Sequence, residues 1–308
     1  MSRADPSVSI CIPTYNYRRY LADALDSALA QTFADIEIVV VDNCSDDGTP
    51  ELVSEYCRKD DRVVFHRNTE NIGMTGNFNR AINLARGKYI KFLCADDVLA
   101  SECVGRLVGV MEGNPGISLA ACKREMFHAD RPDFRSGIHG NRAKVVAGTQ
   151  AIRDCFFVRN YIGEPTAVLF RKSDVGSGFD GRYYQALDVD LWFRLLEGGS
   201  LAYVGDPLCG VREHYATGTA NNLRAGRITA DKVRLFEHYA HKPYLRGTVA
   251  EKIRWDARMA SSMAKQAAAG AEVGMEAVRE AMYFPRFSGS MLVPLASVLL
   301  KLGGSARS

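Results

Sequence analysis

The sequence predicts an α/β protein: a Rossmann-like, mostly parallel sheet flanked by helices, followed by a helical C-terminal extension. Three observations lead there. Short apolar runs rich in β-branched residues alternate with segments of helical period through about residue 122. The connections between them are short, as parallel strands with covering helices require. From about Arg227 to Met282 the chain then reads as helix without intervening strands.

In chain order, Val8–Ile12 is a first strand, stopped by Pro13. Tyr17 to Gln31 places Tyr20/Leu21, Ala24/Leu25 and Ala28/Leu29 four residues apart, which gives a helix one apolar face, with Asn16 as its expected N-cap. Ile36–Val41 is nearly continuous and β-branched, the pattern of a strand buried on both faces. Thr49-Pro50-Glu51 supplies an N-cap, a first-turn proline and a first-turn acid for a helix to about Lys59. Arg62–His66 is a third strand, Thr75–Arg86 a third helix ended by Gly87, and Tyr89–Leu93 a fourth strand. A helix around Ser101–Glu112 and a strand at Ile117–Cys122 follow. Residues 124–147 are polar and contain glycine, and read as a long irregular stretch, a lid or acceptor-side loop. Strand character returns at Thr166–Phe170 and Ala202–Val204, with a helix at Leu187–Glu197 between them, closed by Gly198-Gly199.

Composition narrows the function. The 308 residues are 47% hydrophobic and 24% charged, enough to bury a core and unlike a disordered or fibrous chain. The net charge of +3 is too small to indicate a nucleic-acid binder. It is uneven: residues 227–308 carry +6 and residues 1–226 carry −3, so an anionic surface would be met by the tail. Eight cysteines without a CxxC pair argue against zinc ribbons and redox dithiols. The start lacks the apolar stretch of a signal peptide, and no segment is long enough to span a bilayer, so a cytoplasmic protein is expected.

In sheets of this type a ligand lies beyond the carboxyl ends of the strands. Those ends carry Pro13-Thr14-Tyr15-Asn16, Asp42–Asp47 and Ala95-Asp96-Asp97. Two adjacent carboxylates at a buried sheet edge repel one another and persist where a hard divalent cation binds, Mg²⁺ or Mn²⁺, or else as a solvated turn capping the next helix. Asp42 can accept a hydrogen bond from a ligand, or begin an Asx-turn into Asp46-Asp47-Gly48. Gly176–Gly181 satisfies G-x-G-x-x-G, but no strand runs into it and Tyr183-Tyr184 follows; it is a loop and not a dinucleotide site.

Taken together, Val8–Asn16, Gln31-Thr32-Phe33, Glu37–Asp42, Ser45–Thr49, Asn71-Ile72-Gly73 and Asp96-Asp97 resemble the family 2 glycosyltransferases, enzymes of the GT-A fold. The resemblance continues through Gly163–Arg171, Gly178-Phe179-Asp180 and Asp188–Arg194, and covers residues 7–215. It implies a catalytic domain over residues 1–226, with a nucleotide-binding half at about 7–122 and an acceptor half at about 123–226, and a helical extension over 227–308. It also implies an inverting transferase that moves a sugar from a nucleoside diphosphate, most often UDP, to an acceptor hydroxyl. Absence of Gln-x-x-Arg-Trp speaks for a non-processive enzyme of surface polysaccharide or lipid-linked glycan synthesis.

By the same resemblance Pro13, Thr14, Tyr15, Asn16, Asp42, Asn71 and Gly73 hold the nucleotide. Asp96 holds ribose and the metal-bound diphosphate, and Asp97 joins it at the metal. Asp188 falls at the position of the catalytic base, with Asp190 as its rival on another face of the helix; both could instead be first-turn acids favoured by the helix dipole. Arg212 matches a residue that meets the diphosphate, and His214 one that binds metal through a neutral ring nitrogen, the alternative being a surface histidine. Two departures stand out: Cys94 where many members have an acid, and Asn43 where a second Asp is common. They motivate an alternative, a catalytically silent sugar-nucleotide-binding or scaffold protein. The apolar tail from Phe284 to Leu302, with Arg286 and Lys301 near its ends, could rest on an anionic membrane or pack as a helix or dimer seam.

Overall fold

The structure, a computed structural model, describes residues 5–128, 143–214, 222–270, 278 and 280–283. The chain divides into two compact units. The first comprises Met1–Ala151, Tyr161–Gly181 and Leu191–His214; the second comprises Ile152–Asn160, Arg182–Asp190 and Tyr215–Ser308.

The first unit is built on a nine-stranded, mostly parallel sheet. Strands β1 (Val8–Thr14), β2 (Ile36–Asp42), β3 (Val63–Arg67) and β4 (Tyr89–Phe92) lie in the order β3-β2-β1-β4, all parallel. Helices α1 (Arg18–Leu29), α2 (Thr49–Lys59) and α3 (Gly73–Leu84) connect them. Every residue of β1 and β2 is buried, which is why these strands read as nearly continuous apolar runs. Alternate residues serve the two faces. Val8, Ile10 and Ile12 pack with Leu21 and Leu25 of α1, each such leucine contributing about 1.5–3 kcal/mol of burial. Cys11 points the other way, its thiol against the Ala81 carbonyl of α3.

Beyond β4 the sheet turns mixed. The remaining strands are β5 (Val98–Leu99), β6 (Ile117–His128), β7 (Lys144–Ala147), β8 (Val168–Arg171) and β9 (Ser200–Glu213), with α4 (Cys103–Gly113) between β5 and β6. The order continues β8-β6-β9-β5, with β7 against β9. β8 runs antiparallel to both β4 and β6, and β6 is parallel to β9. Helices α5 (Gly148–Phe157) and α6 (Leu187–Glu197) contribute residues to both units. In the second unit α7 (Arg227–Tyr239) and α8 (Val249–Ala268) are separated by a 3-10 turn at Pro243–Leu245. A capping box opens α8: the Thr248 hydroxyl accepts from the Glu251 amide, and Glu251 accepts from the Thr248 amide.

Four local expectations change. The Asn16 side chain accepts from the Asp46 amide and does not cap α1, whose N-cap is Tyr17. Gly48, left-handed at φ 84°, precedes α2, and Asp47 takes the Thr49 amide and hydroxyl. Gly87 does not end α3, whose C-cap is Ala85; a Cβ on Gly87 would stand 2.5 Å from the Ser9 amide nitrogen, so the glycine permits backbone contact with β1. The stretch after Lys123 is not wholly irregular, because β6 continues to His128 along β9, and β7 and α5 occupy Lys144–Phe157. Polar residues on the exposed positions of β6 hid it. Most of the irregular stretch, and all of the apolar tail from Phe284, lie outside the described residues. No helix among the described residues is long and apolar enough to cross a membrane.

Candidate active site

The carboxyl edge of β1 and β2 is assembled by short side chains that bond to neighbouring backbone. Thr14 and Asp42 are partners in register, so the loops that follow leave the sheet side by side. Asn16 takes a left-handed φ of 57°, which asparagine tolerates; its amide donates to Ser45 Oγ at 2.8 Å and its side chain accepts from Asp46. Asp42 is fully buried. Its carboxylate accepts from the Ser45 amide and hydroxyl, and Arg67 Nε lies 3.3 Å from Oδ2. Asp42 therefore holds the 42–45 loop through Ser45. Tyr15 and Asn16 are exposed above it, and the buried Thr14 hydroxyl has no partner among the described residues.

A chain of asparagines fixes the next wall. Asn43 donates to Asn71 Oδ1 at 2.7 Å and accepts from Asn68 Nδ2 at 2.8 Å and the Ile72 amide at 3.0 Å. Asn71 also accepts from the amide of Gly73, which needs its φ of 76° to begin α3. Asn77 of α3 accepts from Asn68 and donates to the Val41 carbonyl. An amide carries donor and acceptor together, so Asn43 bridges both ways where a carboxylate could only accept. Asn68 and Asn77 carry this wall and went unread in the sequence, since isolated asparagines have no pattern.

At the end of β4 the two acids part company. Asp97 is buried, and both its oxygens are engaged: Oδ2 accepts from Thr166 Oγ1 at 2.5 Å and Oδ1 from the Arg212 amide at 3.0 Å. Burial, and then the charge of Asp96, push its carboxyl up to about 8. Asp96 instead presents Oδ2 to His214 Nε2 at 2.9 Å. Its side chain is 17% exposed and that of His214 is 8% exposed. His214 packs against the rings of Tyr17 and Tyr20. Cys94 is held far up its range by burial and by Asp97 and Asp96, so it remains a neutral thiol where an acid would add charge; its amide donates to Thr166 Oγ1. Thr166 thus joins β4 to the turn before β8, a role only its place in the Gly163–Arg171 segment hinted at.

Arg212 is buried. The guanidinium lies between the rings of Tyr20 and Phe127, 4.8 and 4.6 Å from their centroids. It donates to Asp23 Oδ2 at 2.7 Å and through Nε to the Asp96 carbonyl at 2.8 Å. A cation so placed fixes the Asp96-Asp97 turn.

The donor set suits a hard to borderline divalent ion: one carboxylate oxygen of Asp96 and one imidazole nitrogen of His214, already at a common point. Asp97, its oxygens engaged, sits behind that pair as its support. Among the described residues no group of three or more His, Cys, Asp or Glu is poised for an ion, so a metal here would complete its shell from water and a diphosphate.

Asp188 belongs to the second unit. It opens α6 with intermediate exposure, Oδ1 accepting from the Val189 amide at 2.8 Å. Asp190, two residues on, is buried and accepts from the Tyr239 hydroxyl at 2.9 Å. The two acids thus occupy different faces of the helix.

Comparison with known proteins places this geometry. Residues 9–173 match the model of glycosyl transferase family 2. The chain is 31% identical over 248 residues to the uncharacterized protein MT1568 of Mycobacterium tuberculosis, covering 75% of each chain. It is 37% identical over 97 residues to the putative teichuronic acid biosynthesis glycosyltransferase TuaG of Bacillus subtilis; that match covers 32% of this chain and only 38% of TuaG. Two solved structures share the GT-A fold with it. S. aureus TarS 1-349, in complex with UDP-GlcNAc, has a TM-score of 0.59 at 16% identity over 94% of this chain and 89% of that one. The mannosyltransferase PcManGT of Pyrobaculum calidifontis, in complex with GDP-Man and Mn²⁺, has a TM-score of 0.62 at 17% identity over 96% and 86%.

Proposed function

The chain belongs to glycosyl transferase family 2, and from that premise we propose an inverting, non-processive enzyme that transfers a hexosyl or N-acetylhexosaminyl group from a UDP-sugar to an acceptor hydroxyl. The acceptor we assign is a growing surface polysaccharide or lipid-linked glycan, a reading supported by the match to TuaG. The observation that carries the proposal is the Asp96–His214 pair at the same sheet edge as the Thr14–Asn16 and Asn71–Gly73 loops.

In this reading Pro13 to Asn16, with Asn71 and Gly73, form the nucleotide cradle. Asp42 and Asp97 keep the loops in place, and Arg212 acts on the diphosphate through the turn it holds. Asp96 and His214 would hold Mg²⁺ or Mn²⁺, which would offset the negative charge that develops on a departing diphosphate. Asp188 accepts the proton of the acceptor hydroxyl as its oxygen bonds to the anomeric carbon and the carbon–phosphate oxygen bond breaks, in one displacement that inverts the centre.

The test is donor hydrolysis across UDP- and GDP-sugars, with and without EDTA. Release of UDP that EDTA stops and Mn²⁺ restores is expected. UDP binding with no turnover of any donor would replace the enzyme by a silent sugar-nucleotide binder.

A further inference from the structure

A cavity of about 360 Å³ in the second unit is lined by Arg182, Tyr183, Arg234, Glu237 and His238. None of these takes part in the chemistry above. The volume falls within the range of about 300–1,000 Å³ typical of small-ligand sites. Three of the five side chains are basic and one is acidic.

The walls are built and not accidental. Arg234, Glu237 and His238 stand three and four residues apart on α7, hence on one face of the helix. The opposite wall, Arg182-Tyr183, leads into a stretch gripped by one buried carboxylate. Asp231 Oδ2 accepts the amides of Tyr184, Gln185 and Ala186 at 2.8, 2.5 and 2.9 Å, while its Oδ1 accepts from Arg234 at 3.0 Å. Asn222 adds bonds to the Tyr184 carbonyl and the Gln185 side chain, and Arg227 covers the Tyr184 ring at 4.6 Å. Asp231 therefore ties the helix face that carries Arg234 and the facing loop to a single point. The arrangement is preorganised, so little ordering remains for a ligand to impose.

We propose that this cavity binds a phosphoryl group carried by the acceptor. Guanidinium groups offer paired N–H donors that match phosphate oxygens, and a histidine ring adds a further donor. Glu237, which would repel a bare anion, accepts hydrogen bonds from sugar hydroxyls, so the set favours a phosphate ester with hydroxyls close by over inorganic phosphate. The link to the acceptor comes from the chain itself: the loop held by Asp231 continues into α6, where the Asp190 amide donates to the Ala186 carbonyl around Asp188. A phosphoryl group seated at Arg182 would thus sit six residues from the proposed base within the same unit. This assignment to the acceptor rests on the transferase reading above.

The phosphate could be borne by a soluble sugar phosphate or by a lipid. The experiment therefore uses glucose 1-phosphate in one arm and phosphatidylcholine vesicles containing a polyisoprenyl phosphate in the other, both with saturating UDP and Mn²⁺ so that the donor site is filled. The full chain is compared with the double variant Arg182→Gln, His238→Gln, leaving Arg234 intact because it also holds the wall. Binding to one or both probes is expected in the wild type and should weaken about tenfold or more in the variant, the effect of losing charge-assisted hydrogen bonds. UDP affinity should be unchanged, which reports that the variant is folded. Glucose 1-phosphate binding assigns a soluble acceptor, and binding to vesicles alone a lipid-borne one. If neither probe binds, or if the variant binds as the wild type does, the cavity assignment is overturned. Donor hydrolysis is read in parallel samples that hold a UDP-sugar in place of UDP: its presence without phosphate binding overturns the cavity alone, and its absence with phosphate binding overturns the transferase.

Discussion

His214 Nε2 lies 2.9 Å from Asp96 Oδ2, while Asp97, the next residue, turns both oxygens inward to Thr166 and the Arg212 amide. Neighbouring carboxylates of identical chemistry thus receive opposite tasks. The partly exposed one can change partner when a ligand arrives; the buried one cannot without leaving a hydroxyl and an amide unpaired.

Substitution should separate these tasks. Asp96→Ala is expected to leave the melting temperature near that of the wild type and to abolish the effect of Mn²⁺ on UDP affinity in calorimetric titrations. Asp97→Ala leaves the Thr166 and Arg212 donors orphaned and should cost about 1–3 kcal/mol in chemical denaturation. A destabilised Asp96→Ala together with an Asp97→Ala of wild-type stability would reverse the assignment.

The two acids of α6 give a second contrast. Asp188→Asn preserves size but cannot take a proton, so sugar transfer should fall about 100-fold or more with UDP affinity intact. Asp190→Ala removes the carboxylate that accepts from the Tyr239 hydroxyl and should lower stability by about 1–3 kcal/mol, the folded protein keeping its transfer rate. Single-turnover transfer and urea denaturation of both variants would check this. A transfer defect confined to Asp190→Ala would move the base to that residue.

What was legible in the sequence follows from how each residue is used. β1 and β2 are buried on both faces, and their periodicity has no competing explanation. The strand ends could be located because apolar runs stop abruptly at Pro13, Asp42 and Asp96. The partners of those ends could not. That Asp97 meets Thr166 and Arg212 depends on contacts 69 and 115 residues apart, and nothing local in Glu164-Pro165-Thr166 signals them. Nothing in the sequence signals the two rings that flank Arg212 or its bond to Asp23. The outer half of β6 was lost for a different reason: its polar positions face solvent and mimic a loop. The asparagine wall escaped because each member bonds to another distant in sequence.

Gly87 offers a test of close packing. A methyl group there would lie 2.5 Å from the Ser9 amide nitrogen and 2.7 Å from the Val8 carbonyl carbon, both backbone atoms of a central strand. Neither can yield without moving β1. Gly87→Ala is therefore expected to destabilise by about 1–3 kcal/mol, seen as a lowered urea midpoint with unchanged slope. A wild-type midpoint would mean that the contact between this turn and β1 is looser than described.

Glu37 provides a pH-dependent prediction at the same junction. It is buried on β2, where it accepts from Ser9 Oγ at 2.6 Å and from the Arg86 amide at 2.7 Å, and pairs with the Arg86 guanidinium at 2.8 Å. Burial by itself would raise its carboxyl, but the bonds from Ser9 and Arg86 outweigh burial and hold it below the ordinary value. A carboxylate depressed in the folded state binds protons more weakly there than in the unfolded chain. Its contribution is complete above the unfolded value of about 4.3 and disappears as pH falls through the folded one. Glu37→Gln should therefore be less stable than the wild type at neutral pH, with the gap closing as pH drops below about 4.3. Urea denaturation of both proteins from neutral pH downward gives that difference directly, and other titrating groups common to the two cancel. A gap that stays constant through the acid range would mean that Glu37 contributes by shape and hydrogen bonding alone, without the charge that the Arg86 pairing implies.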